Sequence, residues 1–286
     1  MYSDHIPFLR CLGCGGALDA EPAEVGPGGE LVRGALRCGG CGVAYPVRAG
    51  VADFLGQARP ETPAQRVNEW PLTAWGYERL WRPFALSLLS GEPFPLRREL
   101  PLVLGLAGAR RGGLFVDVAC SNGLYARALA RVAGPRGAVI GVDHSFAMLA
   151  EARRRALAAG LRISYLRAEA QGLPVASGAA AGVLIGGSLN EIGDLPRCLA
   201  EARRTLAPDG RFVTMCLARA RTPAGRLAQR ALGSGGITFW TAEELAAQYA
   251  RAGLRVAGLW RYGVVLFLLS VLPSQQKSLI PEVFCG

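Results

Sequence analysis

Four cysteines constrain this chain more than any other feature. Cys11-Leu-Gly-Cys14 and Cys38-Gly-Gly-Cys41 are two Cys-x-x-Cys pairs with 23 residues between them. Two intervening residues let both thiolates of a tight turn face one tetrahedral centre, and two such turns complete a four-thiolate site at metal–sulfur distances of about 2.3 Å. Zinc suits that donor set. A closed shell leaves no coordination position for chemistry, so Cys11, Cys14, Cys38 and Cys41 are expected to hold a structural zinc. The competing reading of the same spacing is a pair of redox dithiols. Glycines at 13, 15, 39, 40 and 42 give the turns backbone freedom. A module this small has little core of its own, and the metal would supply folding free energy directly. Cys120, Cys198, Cys216 and Cys285 show no metal spacing and read as small core hydrophobes.

Between the knuckles, Glu21–Gly29 reads as a loop and Leu31–Arg37 as a short strand. After the second knuckle, Ala44-Tyr-Pro-Val-Arg-Ala-Gly-Val-Ala-Asp-Phe-Leu55 resembles the closing strands of small zinc-ribbon domains found fused to, or partnering with, methyltransferases. Gln57–Gln65, with Pro60 and Pro63, reads as a linker.

From Gly112 onward strands alternate with helices, which predicts a parallel sheet covered on both faces. Leu114–Ala119, Ala138–Asp143, Ile163–Ala168, Ala180–Ile185 and Arg211–Leu217 read as strands. Leu124–Val132 is the first helix, Ser145 caps a second through Ala159, and Asp194 caps a third ending near Leu206–Gly210. Thr241-Ala-Glu-Glu244 is a capping-box sequence, and two apolar strands, Leu254–Trp260 and Val264–Leu269, close the pattern.

This order resembles the class I S-adenosylmethionine-dependent methyltransferases over residues 66–272. The resemblance rests on Val116–Leu129 as cofactor loop, Gly141–Leu149 as ribose segment, Arg167–Val175 as adenine segment, and Leu189–Val213. It implies a Rossmann-like α/β fold, a mostly parallel seven-stranded sheet with a C-terminal antiparallel hairpin, joined to the N-terminal zinc ribbon. The expected division is a zinc-ribbon domain at 1–56, a linker and helical lid segment at 57–110, the methyltransferase domain at 111–272, and a tail at 273–286. The implied cofactor is S-adenosylmethionine. Ligands of open α/β sheets sit at the carboxyl ends of the strands where strand order reverses, which is where the first strand-to-helix loop lies. Asp143 can accept from both ribose hydroxyls. By family analogy Asp117 lies near the amino-acid end of the cofactor, Glu169 accepts from the adenine amino group, and His144 and Met148 border adenine and ribose. Ala119, Ser121, Asn122, Gly123, Ala170 and Gly187 complete the expected cofactor site. The sequence departs from the family's Asp-x-Gly-x-Gly-x-Gly loop, because the three glycine positions are Ala119, Ser121 and Gly123. Alanine at the first also occurs in the quinone C-methyltransferases of this class, whose loop this one resembles. Ser121 places a side chain where the loop presses on the cofactor.

The catalytic residues are not legible. Both histidines, His5 and His144, are poorly placed for a base, and Asn190 and Glu191 are expected near the transferring methyl, with Glu191 the one carboxylate that fits a base. The aromatic stretch Asn68–Phe84, with Trp75, Tyr77, Trp81 and Phe84, reads as a lid or as a helix packed on the sheet, and Gly233–Trp240 as a flexible loop on the pocket's other side. A small hydrophobic or aromatic acceptor, a specialised metabolite or a quinone-like compound, is the first reading. An rRNA or tRNA base methyltransferase is the second, since zinc ribbons precede this fold in ribosomal RNA guanine methyltransferases. Use of the cofactor without methylation is the third. The formal charge of +10 permits RNA, but with Lys277 the only lysine it reads as much as the coding bias of a GC-rich genome. No apolar run reaches the roughly 20 residues of a membrane span, and the N-terminus lacks a secretory pattern, so a cytoplasmic protein is expected.

Overall fold

The structure, a computed structural model, describes residues 1–56, 82–233 and 236–273. The linker from Gln57, the aromatic stretch through Trp81 and the tail from Ser274 lie outside the described residues.

Four strands form the N-terminal module: β1 (Leu18–Gly26), β2 (Glu30–Cys38), β3 (Ala44–Arg48) and β4 (Val51–Asp53). Then follow α1 (Arg82–Ser90), α2 (Leu96–Ala107), β5 (Gly113–Val118), α3 (Leu124–Ala133), β6 (Gly137–Asp143), α4 (Phe146–Ala158), β7 (Ser164–Arg167) and β8 (Ala180–Gly186). The chain continues through α5 (Leu195–Thr205), β9 (Leu206–Leu217), α6 (Pro223–Gly233), α7 (Ala242–Arg251), β10 (Arg255–Tyr262) and β11 (Val265–Val271).

All of these strands belong to one 11-stranded sheet in the order β1-β2-β3-β4-β7-β6-β5-β8-β9-β11-β10. Seven of them, from β7 to β10 in that order, make the expected mostly parallel sheet with its antiparallel hairpin. Leu114–Val118 of β5 is buried throughout, the near-continuous apolar run of a strand covered on both faces. Order reverses at β5, with β6 and β7 on one side and β8 and β9 on the other. The expected caps form: Ser145 accepts from the Met148 amide, Asp194 from the Arg197 amide, and Thr241 and Glu244 close a reciprocal box.

Two elements differ from the sequence reading. Glu21–Gly26 is strand rather than loop, because β2 supplies a full pairing edge and the turn Pro27-Gly28-Gly29 closes the hairpin. Gly28 and Gly29 take φ of 71° and 75°, the left-handed conformation this turn needs. The strand's weak formers, Glu21 and Pro22, are tolerated at register breaks near Pro22 and Glu24. Leu206–Gly210, read as a helix end, instead opens β9, with a bulge where Ala180 pairs Leu206 and Gly182 pairs Arg211.

The N-terminal module is joined to the larger sheet edge to edge. β4 pairs in parallel with β7 through Val51↔Tyr165, Ala52↔Leu166 and Asp53↔Arg167. Ser164, buried at the head of β7, accepts from the Tyr2 amide at 3.0 Å and bonds His5 Nδ1 at 2.9 Å. Glu30 of β2 is gripped bidentately by Arg153 of α4 at 2.8 and 2.6 Å and by the Met1 amine at 3.2 Å. Burial pushes the Glu30 carboxyl up, and these two cations more than offset it, leaving it below its ordinary value. Leu31 and Leu36 share one apolar core with Ile140, Leu166 and Val175.

Candidate functional site

The two knuckles are built alike. Gly15 donates to the Cys11 carbonyl and Gly42 to the Cys38 carbonyl, each at 2.9 Å, and both glycines have φ of 76°, a left-handed turn that aims the preceding cysteine back at its partner. The four sulfurs lie within 4.8 Å of one another, with Cys11–Cys41 at 3.6 Å and Cys14–Cys38 at 3.4 Å. A tetrahedral zinc thiolate site requires sulfur–sulfur separations of about 3.8 Å, so this donor set fits the metal. Tyr45 Oη approaches Cys11 Sγ at 3.2 Å and accepts from the Leu12 amide, and the Gly13 amide donates to Cys11 Sγ. Such contacts orient a ligating sulfur and moderate its charge.

A cavity of about 420 Å³ at the carboxyl ends of the parallel strands lies at the topological switch point. Its wall takes Ala119 and Ser121 from the loop after β5, Asp143, His144 and Met148 from the end of β6 and the start of α4, and Glu169 and Ala170 from the loop after β7. The loop after β8 adds Gly187 and Glu191. A smaller cavity beside it, about 20 Å³, is lined by Asp117, Asn122 and Tyr125 and shares Ala119, Ser121 and Ser188 with the first. Gly123 lies on neither wall: with φ of 76° it starts α3, where an added Cβ would meet Ala152 and the Tyr165 hydroxyl at 3.0 Å.

Backbone geometry explains how the loop dispenses with two glycines. Ala119 and Ser121 adopt φ of 53° and 50°, so they keep the left-handed conformation of the residues they replace. That conformation costs an L-residue roughly 1–2 kcal/mol. Ser121 does not plug the cavity, because its hydroxyl turns to Met148 Sδ at 3.4 Å. Its amide donates to Asp143 Oδ2 at 2.8 Å, and the Ser145 amide donates to Oδ1 at 2.9 Å. The Asp143 carboxylate is thus oriented by two backbone donors while each oxygen retains a further lone pair. Asp117 is buried, and its Oδ2 accepts from the Ala126 amide in the first turn of α3 at 2.8 Å.

His144 Nδ1 lies 3.5 Å from Asp143 Oδ1, and its Nε2 is buried without a hydrogen-bond partner among the described residues. An orphaned ring nitrogen in a cavity wall is the kind of group that a polar ligand satisfies. Burial raises the Glu191 carboxyl above its ordinary range, Asp143 adds to the rise and His144 opposes it. Asn190, expected beside the reacting centre, has another task. Its side chain donates to the Leu217 and Thr238 carbonyls and accepts from the Leu217 amide, so it staples the end of β9 to the segment before Trp240.

The sequence reading missed Gln171, Ser188, Ile192, Gly193, Asp194 and Arg197 on the same wall. The residues after Glu191 belong to one short connection into α5, and the Asp194 cap, which marks that helix start just after Glu191, is the signal that could have found them. Also unforeseen is Glu99, wholly buried in α2, which accepts from the Tyr125 hydroxyl.

Comparison with known proteins agrees with this geometry. A family model described as a methyltransferase domain matches residues 115–210, which span β5 to the start of β9. Residues 115–210 are a methyltransferase domain. A 2-phytyl-1,4-naphtoquinone methyltransferase of Synechococcus elongatus is 29% identical over 215 residues, covering 74% of this chain and 79% of that protein. A demethylmenaquinone methyltransferase of Thermus thermophilus is 38% identical over 119 residues, 42% of this chain and 52% of its own length. Among solved structures, a SAM-dependent methyltransferase from Aquifex aeolicus superposes with a TM-score of 0.55 at 17% identity, covering 70% of this chain and 97% of that one, a likeness of fold. No helix among the described residues is long and apolar enough to cross a membrane.

Proposed function

We propose that this methyltransferase methylates a small hydrophobic, quinone-like acceptor, with S-adenosylmethionine bound in the switch-point cavity. The observation that carries this reading is the Asp143 carboxylate, held by two backbone amides at the rim of a cavity of about 420 Å³ that also contains the orphaned His144 nitrogen. Asp143 would hold the ribose, Glu169 and Ala170 the adenine, Met148 and His144 the faces between, and Gly187 with the loop from Ala119 to Asn122 the amino-acid end. When bound, the cofactor supplies an electrophilic methyl group on a sulfonium.

The chain's contribution is position and dryness. Converging walls hold the acceptor in line and exclude water, which lowers the barrier without a covalent intermediate. A phenolic acceptor must give up a proton as its ring becomes nucleophilic, and Glu191, in the wall with a raised pKa, is suited to take it. The names of the relatives, both quinone methyltransferases, support this acceptor class. The zinc at Cys11, Cys14, Cys38 and Cys41 is structural in this reading, and residues 1–56, 111–272 and 273–286 are ribbon, catalytic unit and tail.

The test is incubation with isotopically labelled S-adenosylmethionine and a panel of reduced short-chain naphthoquinones, followed by mass spectrometry. The expected result is a labelled methyl on one quinol together with release of S-adenosylhomocysteine. Labelling of added RNA, with every quinol unchanged, would overturn the reading.

A further inference from the structure

The helix α6 makes little contact with the body of the protein. None of its residues is buried, and Leu227 and Leu232 are 68% and 53% exposed. Gln229 anchors it by accepting from the Ala220 amide and donating to the Ala218 carbonyl. At 100° per residue, Gly225 and Gln229 share the face toward the body. Leu227 then points almost directly away from it, with Arg226 and Arg230 on one flank and Ala224, Ala228 and Ala231 on the other, while Leu232, about 20° from Gly225 on the wheel, lies on the body side of the last turn and is nonetheless half exposed. An exposed helix that offers leucine to solvent between arginines has the pattern of an interfacial amphipathic helix, not of a core element.

Its place in the fold matters as much as its pattern. α6 leaves the carboxyl end of β9, which runs parallel to β8, so it stands at the same end of the sheet as the cofactor cavity. β11 begins opposite Leu217 at that same end, and there the Val264 amide donates to Leu89 of α1, next to Leu88, which is 80% exposed. Leu88, Leu227 and Leu232 are three of the seven large apolar residues exposed among the described residues.

Charge reinforces the pattern. From Ala218 to Trp240 the chain has four arginines, Arg219, Arg221, Arg226 and Arg230, and no carboxylate. Arg219 is paired with Glu244, and Arg221 and Arg261 lie within electrostatic reach of Glu243, while Arg226 and Arg230 have no carboxylate within ion-pair distance among the described residues. Arg261 adds its guanidinium to this end, bonded to the Arg219 carbonyl at 3.4 Å.

We propose that α6 with its flanking arginines docks this enzyme on an anionic lipid bilayer, its leucines entering the headgroup boundary and its guanidinium groups resting on lipid phosphates. This deepens the quinone reading, on which it rests for its purpose: an acceptor bearing a long hydrocarbon tail resides in the bilayer, and docking by the cavity end of the sheet shortens its path to the site. The chemistry is complementary on both counts, since arginines near an anionic surface are attracted to it and apolar side chains gain by burial.

The experiment is co-sedimentation of the full chain with phosphatidylglycerol vesicles and with phosphatidylcholine vesicles, for wild type, Leu227→Gln/Leu232→Gln and Arg226→Gln/Arg230→Gln. Wild type is expected to bind the anionic vesicles and hardly the neutral ones, and each double variant to lower the partition coefficient at least tenfold. Melting temperatures should be unchanged, because the altered side chains are exposed. Absence of binding, or binding that the leucine variant leaves intact, overturns the proposal. Poly(U) binding equal to vesicle binding and insensitive to the leucine change would also overturn it, and would assign the arginines to RNA. Turnover of a water-soluble short-chain quinol, measured in parallel, tests the acceptor reading separately, since α6 has no part in the cavity wall.

Discussion

Asp143 shows what one carboxylate must do here: it accepts two loop amides and still faces a cavity. In Asp143→Asn one carboxylate oxygen becomes an amide donor that confronts a backbone N–H, so we expect S-adenosylhomocysteine to bind at least tenfold more weakly, read by calorimetry. Ala119 makes a different case. Its left-handed φ of 53° costs about 1–2 kcal/mol, and glycine would relieve it against an entropic loss of about 0.4–1 kcal/mol. Ala119→Gly should therefore raise the melting temperature slightly, and a fall would show that the loop is not strained. The proposed base, Glu191, sets the expected pH dependence. A base works when deprotonated, and this carboxyl titrates above its ordinary value, so the rate with a phenolic acceptor should fall as pH drops through that raised pKa. Glu191→Gln should lower kcat and remove that limb while leaving cofactor affinity unchanged; a wild-type-like profile would exclude the role. The positions of Asp143 and Glu191 on the cavity wall were legible because strand ends and loop exits advertise themselves as sequence. Asn190 was not, since its amide partners lie on the end of β9 and on Thr238, far along the chain.

At the scale of elements, the link between β4 and β7 ties the four-cysteine module to the switch-point cavity. Asp53 accepts from Arg167 Nη1 at 3.3 Å, and Arg167 Nε donates to the His144 carbonyl at 3.0 Å. The chain Asp53–Arg167–His144 thus runs from the ribbon's last strand to the cavity wall. Asp53→Asn keeps an acceptor but loses the charge, and should weaken cofactor binding several-fold while zinc content stays at one per chain. Unchanged affinity would show that the link is structural only. The strands and caps were readable from apolar runs and from Ser145, Asp194 and Thr241. The join was not, because a three-residue strand such as Val51–Asp53 gives no sign of its partner, and β1 owes its existence to the edge that β2 offers.

For the molecule as a whole, one sheet and one shared core mean that the ribbon is no detachable appendage. Removing residues 1–56 would uncover the edge of β7 together with Ile140, Leu166 and Val175, apolar groups that Leu31 and Leu36 now help to cover. We expect the shortened chain to aggregate, as unpaired strand edges and apolar patches do; a monodisperse shortened chain with normal melting would contradict that. The seven-stranded unit was visible in the order of its segments, whereas its extension to eleven strands arises from tertiary pairing alone. The central claim concerns the switch-point cavity, and titration of the full chain with S-adenosylhomocysteine in a calorimeter tests it most directly. The account predicts a single site of micromolar strength in the wild type; absence of heat at millimolar ligand would contradict it.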